Sequence, residues 1–408
     1  MGINLGNVHH YMTIKKRDHF RPVSLTRHAW PLGLTLSLPR FLHAEDQVDY
    51  RYEYYNEDNN RMTINTHSVY FEQKLTDAVL TKGELVYDGI SGATPTGMRD
   101  ATTGQPKYTH LQDNRRSISL EFDGRLGSHT LTPGFAYSAE SDYISYGLSL
   151  NDAVDFNEKN TTLLYGVSHN FDSVRQEQQN NHIGKTQILW NEKDSTEGFI
   201  GVNQLLSPKT TFSADFTYGN DSGYLSDPYR LVGIIPLNQP PINFVSGYPE
   251  KRPSHRNKQV VLTSLTHHFD AVNASLEGSY RFYHDSYDVI ANTVGLTWHQ
   301  WLGQHFIVEP FFRFYEQSAA SFYGYGTKGD VYYTKYGTYA PVNYASSDYR
   351  LSEFYSTDSG LEATAVVNDH FHIVVGYHRY EMHGLDGATP AAMYPKANVY
   401  TAGISFLW

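Results

Sequence analysis

Charged side chains recur at same-parity positions in several short stretches of this sequence. Lys82, Glu84 and Asp88 form one set, Arg115 and Glu121 another. Glu277 with Arg281, Glu309 with Arg313, and Asp358 with Glu362 repeat the pattern. On extended backbone such positions share one face. Acids and bases gathered around an enclosed space set a transverse field that selects solutes by charge. The same residues also serve a plainer purpose, pairing across neighbouring strands to brace the wall.

Two other chemistries are weighed and set aside. "HFHIVVGYH" puts His370, His372 and His378 on one strand face, and His-x-His on a strand presents two imidazoles to one metal. No carboxylate or third histidine is fixed beside them by sequence, and His267, His268 and His305 lie near expected turns. Solvated or hydrogen-bonded histidines are therefore expected, with no metal site and no cofactor. A serine–histidine pair on adjacent strands can generate a nucleophile, but no Gly-x-Ser-x-Gly elbow occurs. The chain holds no cysteine, which removes thiolate chemistry and disulfides. No catalytic residue is assigned, and the chain is expected not to be an enzyme.

A repeated segment raises a further question. "GISGATPTGM" (89–98) and "GLDGATPAAM" (384–393) share Gly-Ala-Thr-Pro almost three hundred residues apart. Gly92, Thr94 and Pro95, with Gly387, Thr389 and Pro390, are the rim candidates. Glycine supplies positive φ, threonine bonds its own backbone, and proline blocks strand continuation. Both copies are expected to terminate strands at the starts of loops in one sector of a rim. The minority reading is a paired site built from Asp88, Thr94, Asp386 and Thr389.

The elements that must position these residues are strands. Tyr (33), Phe (21), Thr and Val favour extended structure, and no uncharged apolar run is long enough for a membrane helix. The formal charge of −11, without a basic stripe, argues against nucleic acid. The last stretch, "NVYTAGISFLW", sets Tyr400, Ala402, Ile404, Phe406 and Trp408 against Thr401, Gly403 and Ser405. "RRSISLEFDG", "TFSADFTYGN" and "ASLEGSYRFY" alternate in the same way. Sixteen segments read as strands: 47–56, 62–74, 79–90, 114–123, 128–138, 142–150, 160–171, 195–206, 210–219, 257–269, 273–285, 288–300, 304–317, 355–368, 370–383 and 397–408.

Connections after even-numbered segments are mostly tight, while several after odd-numbered ones, 91–113, 172–194, 220–256 and 318–354, are long. That asymmetry belongs to transmembrane barrels. The expected fold is all-β: a transmembrane antiparallel β-barrel of the bacterial outer membrane, about 16 strands, with short periplasmic turns and long extracellular loops. Tyr50, Tyr52, Tyr54, Tyr143, Tyr146, Trp298 and Trp408 are expected in its aromatic girdles. Residues 1–44 read as a signal peptide, with Met12 as an alternative start, a basic n-region at Lys15–Arg17 and Ala44 at the cleavage point. Residues 45–408 form the single barrel domain. Within 223–258, Ile234, Ile235, Ile242, Phe244 and Val245 suit a constriction or plug, or a self-packed external loop. The Tyr/Gly-rich 323–344 is expected to be a packed exterior loop.

Several blocks carry a family resemblance. "YEYYNEDNNRMTINTHSVYFEQKL" followed by "LVYDGISGATPTG", then "YSAESDYISYGLSL", "FNEKNTTLLYGVSHNFD", "GYLSDPYR" and "YPEKRPSHRN", occur in order. Over 45–408 the chain resembles a bacterial domain-of-unknown-function family, number 3570. The resemblance implies an outer-membrane barrel of unassigned activity in Gram-negative bacteria. It also implies frequent genomic neighbours of flavin-transfer and thioredoxin-like type. The function expected is a porin-like channel for small polar or charged solutes. The alternatives are a plugged scaffold for an envelope complex, redox-related by that association, and a barrel hydrolase. Expected partners are outer-membrane lipid and lipopolysaccharide, the barrel-assembly machinery through the C-terminal strand, and a periplasmic or surface protein.

Overall fold

The computed structural model describes residues 46–100, 103–180, 184–238 and 245–408. The expected signal peptide, 1–44, lies outside the described residues, as do Ile242 and Phe244 of the long loop.

Twenty-one strands run in chain order through the described residues. β1 (Gln47–Glu57) and β2 (Met62–Thr76) precede a long hairpin, β3 (Val79–Arg99) and β4 (Pro106–Leu126). β5 (His129–Ala139) and β6 (Tyr143–Phe156) precede a second, β7 (Thr161–Asn180) and β8 (Lys185–Ser207). β9 (Thr210–Gly223) leads to two short strands, β10 (Leu231–Pro236) and β11 (Ser246–Pro249). β12 (His255–Phe269), β13 (Ala274–Asp285), β14 (Ile290–Leu302) and β15 (Phe306–Gln317) follow. Three short strands, β16 (Thr327–Gly329), β17 (Val331–Tyr333) and β18 (Tyr339–Pro341), separate them from β19 (Phe354–Asn368), β20 (Phe371–Gly384) and β21 (Lys396–Leu407).

Sixteen of these close into one barrel: β1 to β9, β12 to β15 and β19 to β21, each antiparallel to its neighbours. β21 pairs with β1 from Gln47↔Leu407 to Glu57↔Ala397, so the ring has no free edge. Closure answers the problem hydrocarbon poses, since an unpaired backbone group there costs several kcal/mol. Each of the sixteen segments read from sequence falls on one barrel strand.

Alternation sets which face meets what. Leu85, Phe122, Phe216, Leu296 and Ile404 point outward and are exposed, while Lys82, Asp123, Asp215, Thr297 and Thr401 lie buried on the inner face. An apolar exterior over a polar interior is the pattern of a barrel that crosses a membrane. Tyr50, Tyr146 and Trp408 are exposed outside, as expected of girdle residues. Tyr143 is not among them. It lies on the opposite parity from Tyr146, and Lys193 Nζ bonds its hydroxyl at 3.1 Å.

Two expected loops are corrected by the structure. Residues 91–99 and 106–113 continue β3 and β4, and 172–180 with 185–194 continue β7 and β8. Pairing persists there although most outward positions are polar, Ile188 and Trp190 of β8 excepted, so periodicity gave little sign of it. The first Gly-Ala-Thr-Pro copy therefore lies within β3, and only the second, beyond Gly384, is a loop. Gly92 adopts φ 149°, and a Cβ there would meet Arg61 O at 2.4 Å.

The two remaining long connections, between β9 and β12 and between β15 and β19, fold together. β10 pairs with β11 and, in parallel, with β16. Val232, Ile234, Tyr248 and Val331 form a buried cluster inside this unit, here called the cap. At the same end of the barrel Tyr55, Met62, Ile64, Ile90, Leu111 and Val399 form an apolar collar.

Candidate functional site: the charged lumen and its cap

The inner wall is laced by short ion pairs between neighbouring strands. Lys82 reaches Asp123 at 2.5 Å, and Arg115 reaches Asp88 at 2.6 Å. Thr66 donates to the other oxygen of Asp88 at 2.6 Å. His378 Nδ1 lies 2.6 Å from Asp358, and His299 bonds Glu309. Arg51 bonds Glu362 at 2.8 Å although two strands, β20 and β21, intervene. Gly376 and Gly403 lie in the wall between them and leave the side chains room to meet. Charges so paired in a partly dehydrated wall hold one another's geometry.

All eleven lumenal candidates lie on this inner face. Glu309 stands directly opposite Glu362, and Arg313 opposite Asp358. Arg281 stacks on the Tyr283 ring at 5.3 Å, and Glu277 is buried near the short-turn end. Glu84 and Glu121 are half-buried on β3 and β4. These residues line different arcs and do not converge on one point. A cavity is lined by Arg51, Glu53, Glu309, Phe311, Glu362 and His378 among others. Arg51 and Glu53 are absent from the candidates read from sequence, although the alternation of "QVDYRYEYYNE" places Asp49, Arg51 and Glu53 on that face.

The histidines read as hydrogen-bonded groups. His268 Nδ1 lies 3.0 Å from Ser275, His267 Nδ1 lies 2.9 Å from Thr210, and His370 Nδ1 lies 2.8 Å from Leu407 O. Among the described residues the carboxylates close enough to share a metal are Asp113, Glu140 and Asp142 at the rim.

The cap is welded by a buried network of three acids and three arginines. Asp348, 1% exposed, accepts from Arg252 at 2.8 Å and from Arg350 at 2.6 Å. Arg350 also reaches Asp227 at 2.7 Å, and Arg230 lies 3.6 Å from Asp227. Glu250 pairs with Arg252 at 2.6 Å and accepts from Ser346 at 2.5 Å. Asp227, Arg230, Glu250 and Arg252 come from one long connection, and Asp348 and Arg350 from the other. Burial pushes the Asp348 carboxyl up, but Arg350, Arg230 and Arg252 together outweigh it and hold it well below the carboxylate range. Asp227 is lowered too, burial opposing the stronger pull of Arg230 and Arg350. Glu250 is raised, because burial outweighs Arg252.

The Gly-Ala-Thr-Pro threonines are where the cap meets the wall. Arg230 donates to Thr94 Oγ1 at 3.0 Å, and Tyr323 bonds Thr389. Arg99 donates to Ala388 O at 3.0 Å, so the two copies share one sector of the rim. Pro95 is fully buried and Pro390 half-buried. Asp88, Thr94, Asp386 and Thr389 do not make one site. Asp88 is engaged below in the lumen wall, and Asp386 accepts from Thr389 at 2.5 Å inside its own loop, where Gly387 adopts φ 67°.

Several solved barrels resemble the chain. A bacterial polysaccharide outer membrane secretin aligns with 90% of this chain and 99% of its own, at 11% identity and TM-score 0.44. CdiB from Acinetobacter baumannii aligns with 89% of this chain and 60% of its own, at 7% identity and TM-score 0.49. The siderophore receptor PirA from Pseudomonas aeruginosa aligns with 90% of this chain and 64% of its own, at 10% identity and TM-score 0.41. The chain thus spans less than two thirds of the length of the last two. At these values the likeness is one of barrel architecture alone. No curated protein matches the sequence. A family model described as "Protein of unknown function (DUF3570)" matches residues 34–408, nearly the whole sequence, and the chain belongs to that family.

Proposed function

We propose that this barrel resides in the bacterial outer membrane and is a gated, porin-like channel for small polar or charged solutes. The observation that carries the reading is the lumen: its wall is lined by paired acids and bases rather than by apolar side chains. A ring of sixteen strands is wide enough to leave an aqueous path. In this reading the long-loop end faces the cell surface, the short turns face the periplasm, and the outer face contacts lipid and lipopolysaccharide. The cap is the gate, and the chain passes solutes without catalysing a reaction.

The folded cap also favours a second reading, a closed scaffold that docks a periplasmic or surface protein. Planar bilayers separate the two. Stepwise conductance is expected from the full barrel, rising when residues 224–254 are replaced by a short turn. A barrel that stays silent in both forms overturns the channel and leaves the scaffold.

A further inference from the structure

Glu53 stands apart from the other carboxylates of the lumenal cavity. Glu362 is bonded by Arg51 and Glu309 by His299. Glu53 lines the same cavity and is 9% exposed, yet no donor among the described residues bonds it. Arg51, two residues away on the same strand face, gives Nη2 to Glu362, and His378 gives Nδ1 to Asp358. The Glu53 carboxylate is open to the cavity without a donor from the described residues, and a ligand can supply one.

The surroundings say what kind of donor fits. Glu53 stands opposite Thr401, Thr401 opposite Gly376, and Gly376 opposite Glu362. Gly376 has no side chain, and the Glu362 carboxylate lies over it, 3.7 Å from where a Cβ would be, held there by Arg51. Phe311 gives the cavity an apolar flank. Glu53, Glu309 and Glu362 are not gathered closely enough to hold one metal ion, unlike the rim acids Asp113, Glu140 and Asp142. Spaced carboxylates beside an apolar ring suit an organic cation, whose N–H groups reach out from a hydrocarbon chain.

We propose that the cavity beside Glu53 binds small primary-amine cations, with the ammonium donating to Glu53 and the carbon chain lying toward Phe311. The proposal deepens the channel reading and rests on it for the route by which the solute arrives.

Putrescine titrated calorimetrically into the full, detergent-solubilised barrel tests this. Saturable binding is expected in the wild type. Glu53→Gln should weaken it about tenfold or more, the loss of one charge-assisted hydrogen bond. Glu316→Gln, which removes an outward-facing charge, should bind as the wild type does. Circular dichroism verifies that each variant is folded. Equal binding by Glu53→Gln, or equal heats from the neutral analogue 1,4-butanediol, overturns the site. If Glu53→Gln does not fold, Phe311→Ala, which removes the apolar flank, replaces it, and unchanged binding there counts equally against the site. Bilayer conductance is read separately: putrescine binding without conductance sinks the channel and keeps the site, whereas conductance without binding sinks the site alone.

Discussion

Arg230 and Thr94 meet at 3.0 Å although their segments are rooted six strands apart in the ring. Thr94 belongs to β3, third in the ring, and Arg230 to the connection leaving β9, ninth of sixteen. That connection therefore crosses the mouth and is anchored on the far side. Removing the anchor should free the cap. Arg230→Met leaves the buried Asp227 and Asp348 short of a cation, a change of about 3–5 kcal/mol where a buried pair is broken. The expected result is a several-fold rise in open time in bilayers, with unchanged far-UV circular dichroism. Thr94→Val should act in the same direction and more weakly.

Backbone contact tests the same anchor without touching charge. Gly97 adopts φ 89°, and a Cβ there would lie 2.2 Å from Leu231 O and 3.1 Å from Ser347 Cβ. Both parts of the cap rest on this one position. Gly97→Ala should push the cap from the wall and make it susceptible to protease. Gly104→Ala carries a similar positive φ but meets open space, so it should leave the cap protected. Equal digestion of the two variants would mean that strain, not contact, is responsible.

Acid should not open the cap. Asp348 and Asp227 have folded pKa values below their unfolded ones, so their contribution is present above the usual carboxylate range near ~4 and is lost only as pH falls through the lowered values. Glu250 has the opposite sign. Its raised pKa contributes stability below the unfolded value and loses it as pH rises through the folded one. Between pH 7 and about 5 the cap should therefore hold or tighten. The absence of cysteine permits spin labels at Lys335→Cys and Glu177→Cys, and their distance distribution should stay constant over that range. Broadening at pH 5 would assign the latch to other groups.

The lipid-facing surface can be tested by charge. Leu296 points outward from the middle of β14 and is 47% exposed. Leu296→Arg should cost ~2–4 kcal/mol if that position lies near the bilayer midplane. Ser279→Lys, on the lumenal face of the adjacent strand, should cost much less. Folding titrations into vesicles measure both, and equal costs would argue against a bilayer around this belt.

Much of this architecture was legible because lipid imposes a two-residue period. Leu120 and Phe122 against Ser119 and Glu121 mark an inner and an outer face in a single line of sequence. The lumenal charges followed from the same parity. The extensions of β3, β4, β7 and β8 were hidden because most of their outward positions, such as Ser91, Arg175 and Glu177, are polar. The cap was hidden for another reason. Arg230 and Thr94 are 136 residues apart, and Arg252 and Asp348 are 96 apart, so no local pattern records their pairing. The two Gly-Ala-Thr-Pro copies show the limit most clearly: one runs as strand and the other as loop, and what they share is a threonine held by the cap.

Trp408 helps to close the barrel. Trp408 N donates to Asp46 O at 2.9 Å, and Asp46 N donates back to Trp408 O at 3.1 Å. Its ring packs 5.6 Å from Phe406 on the outer face. If the C-terminal strand is the element recognised by the barrel-assembly machinery, two functions meet at Trp408 and can be separated. Trp408→Ala keeps both backbone bonds, so folding from urea into vesicles should proceed almost as in the wild type. In cells the same variant should accumulate in the periplasm, because the terminal aromatic ring is missing. Deleting Trp408 removes the bonds as well and should impair both assays. Normal surface levels of Trp408→Ala in cells would show that the ring serves lipid packing alone.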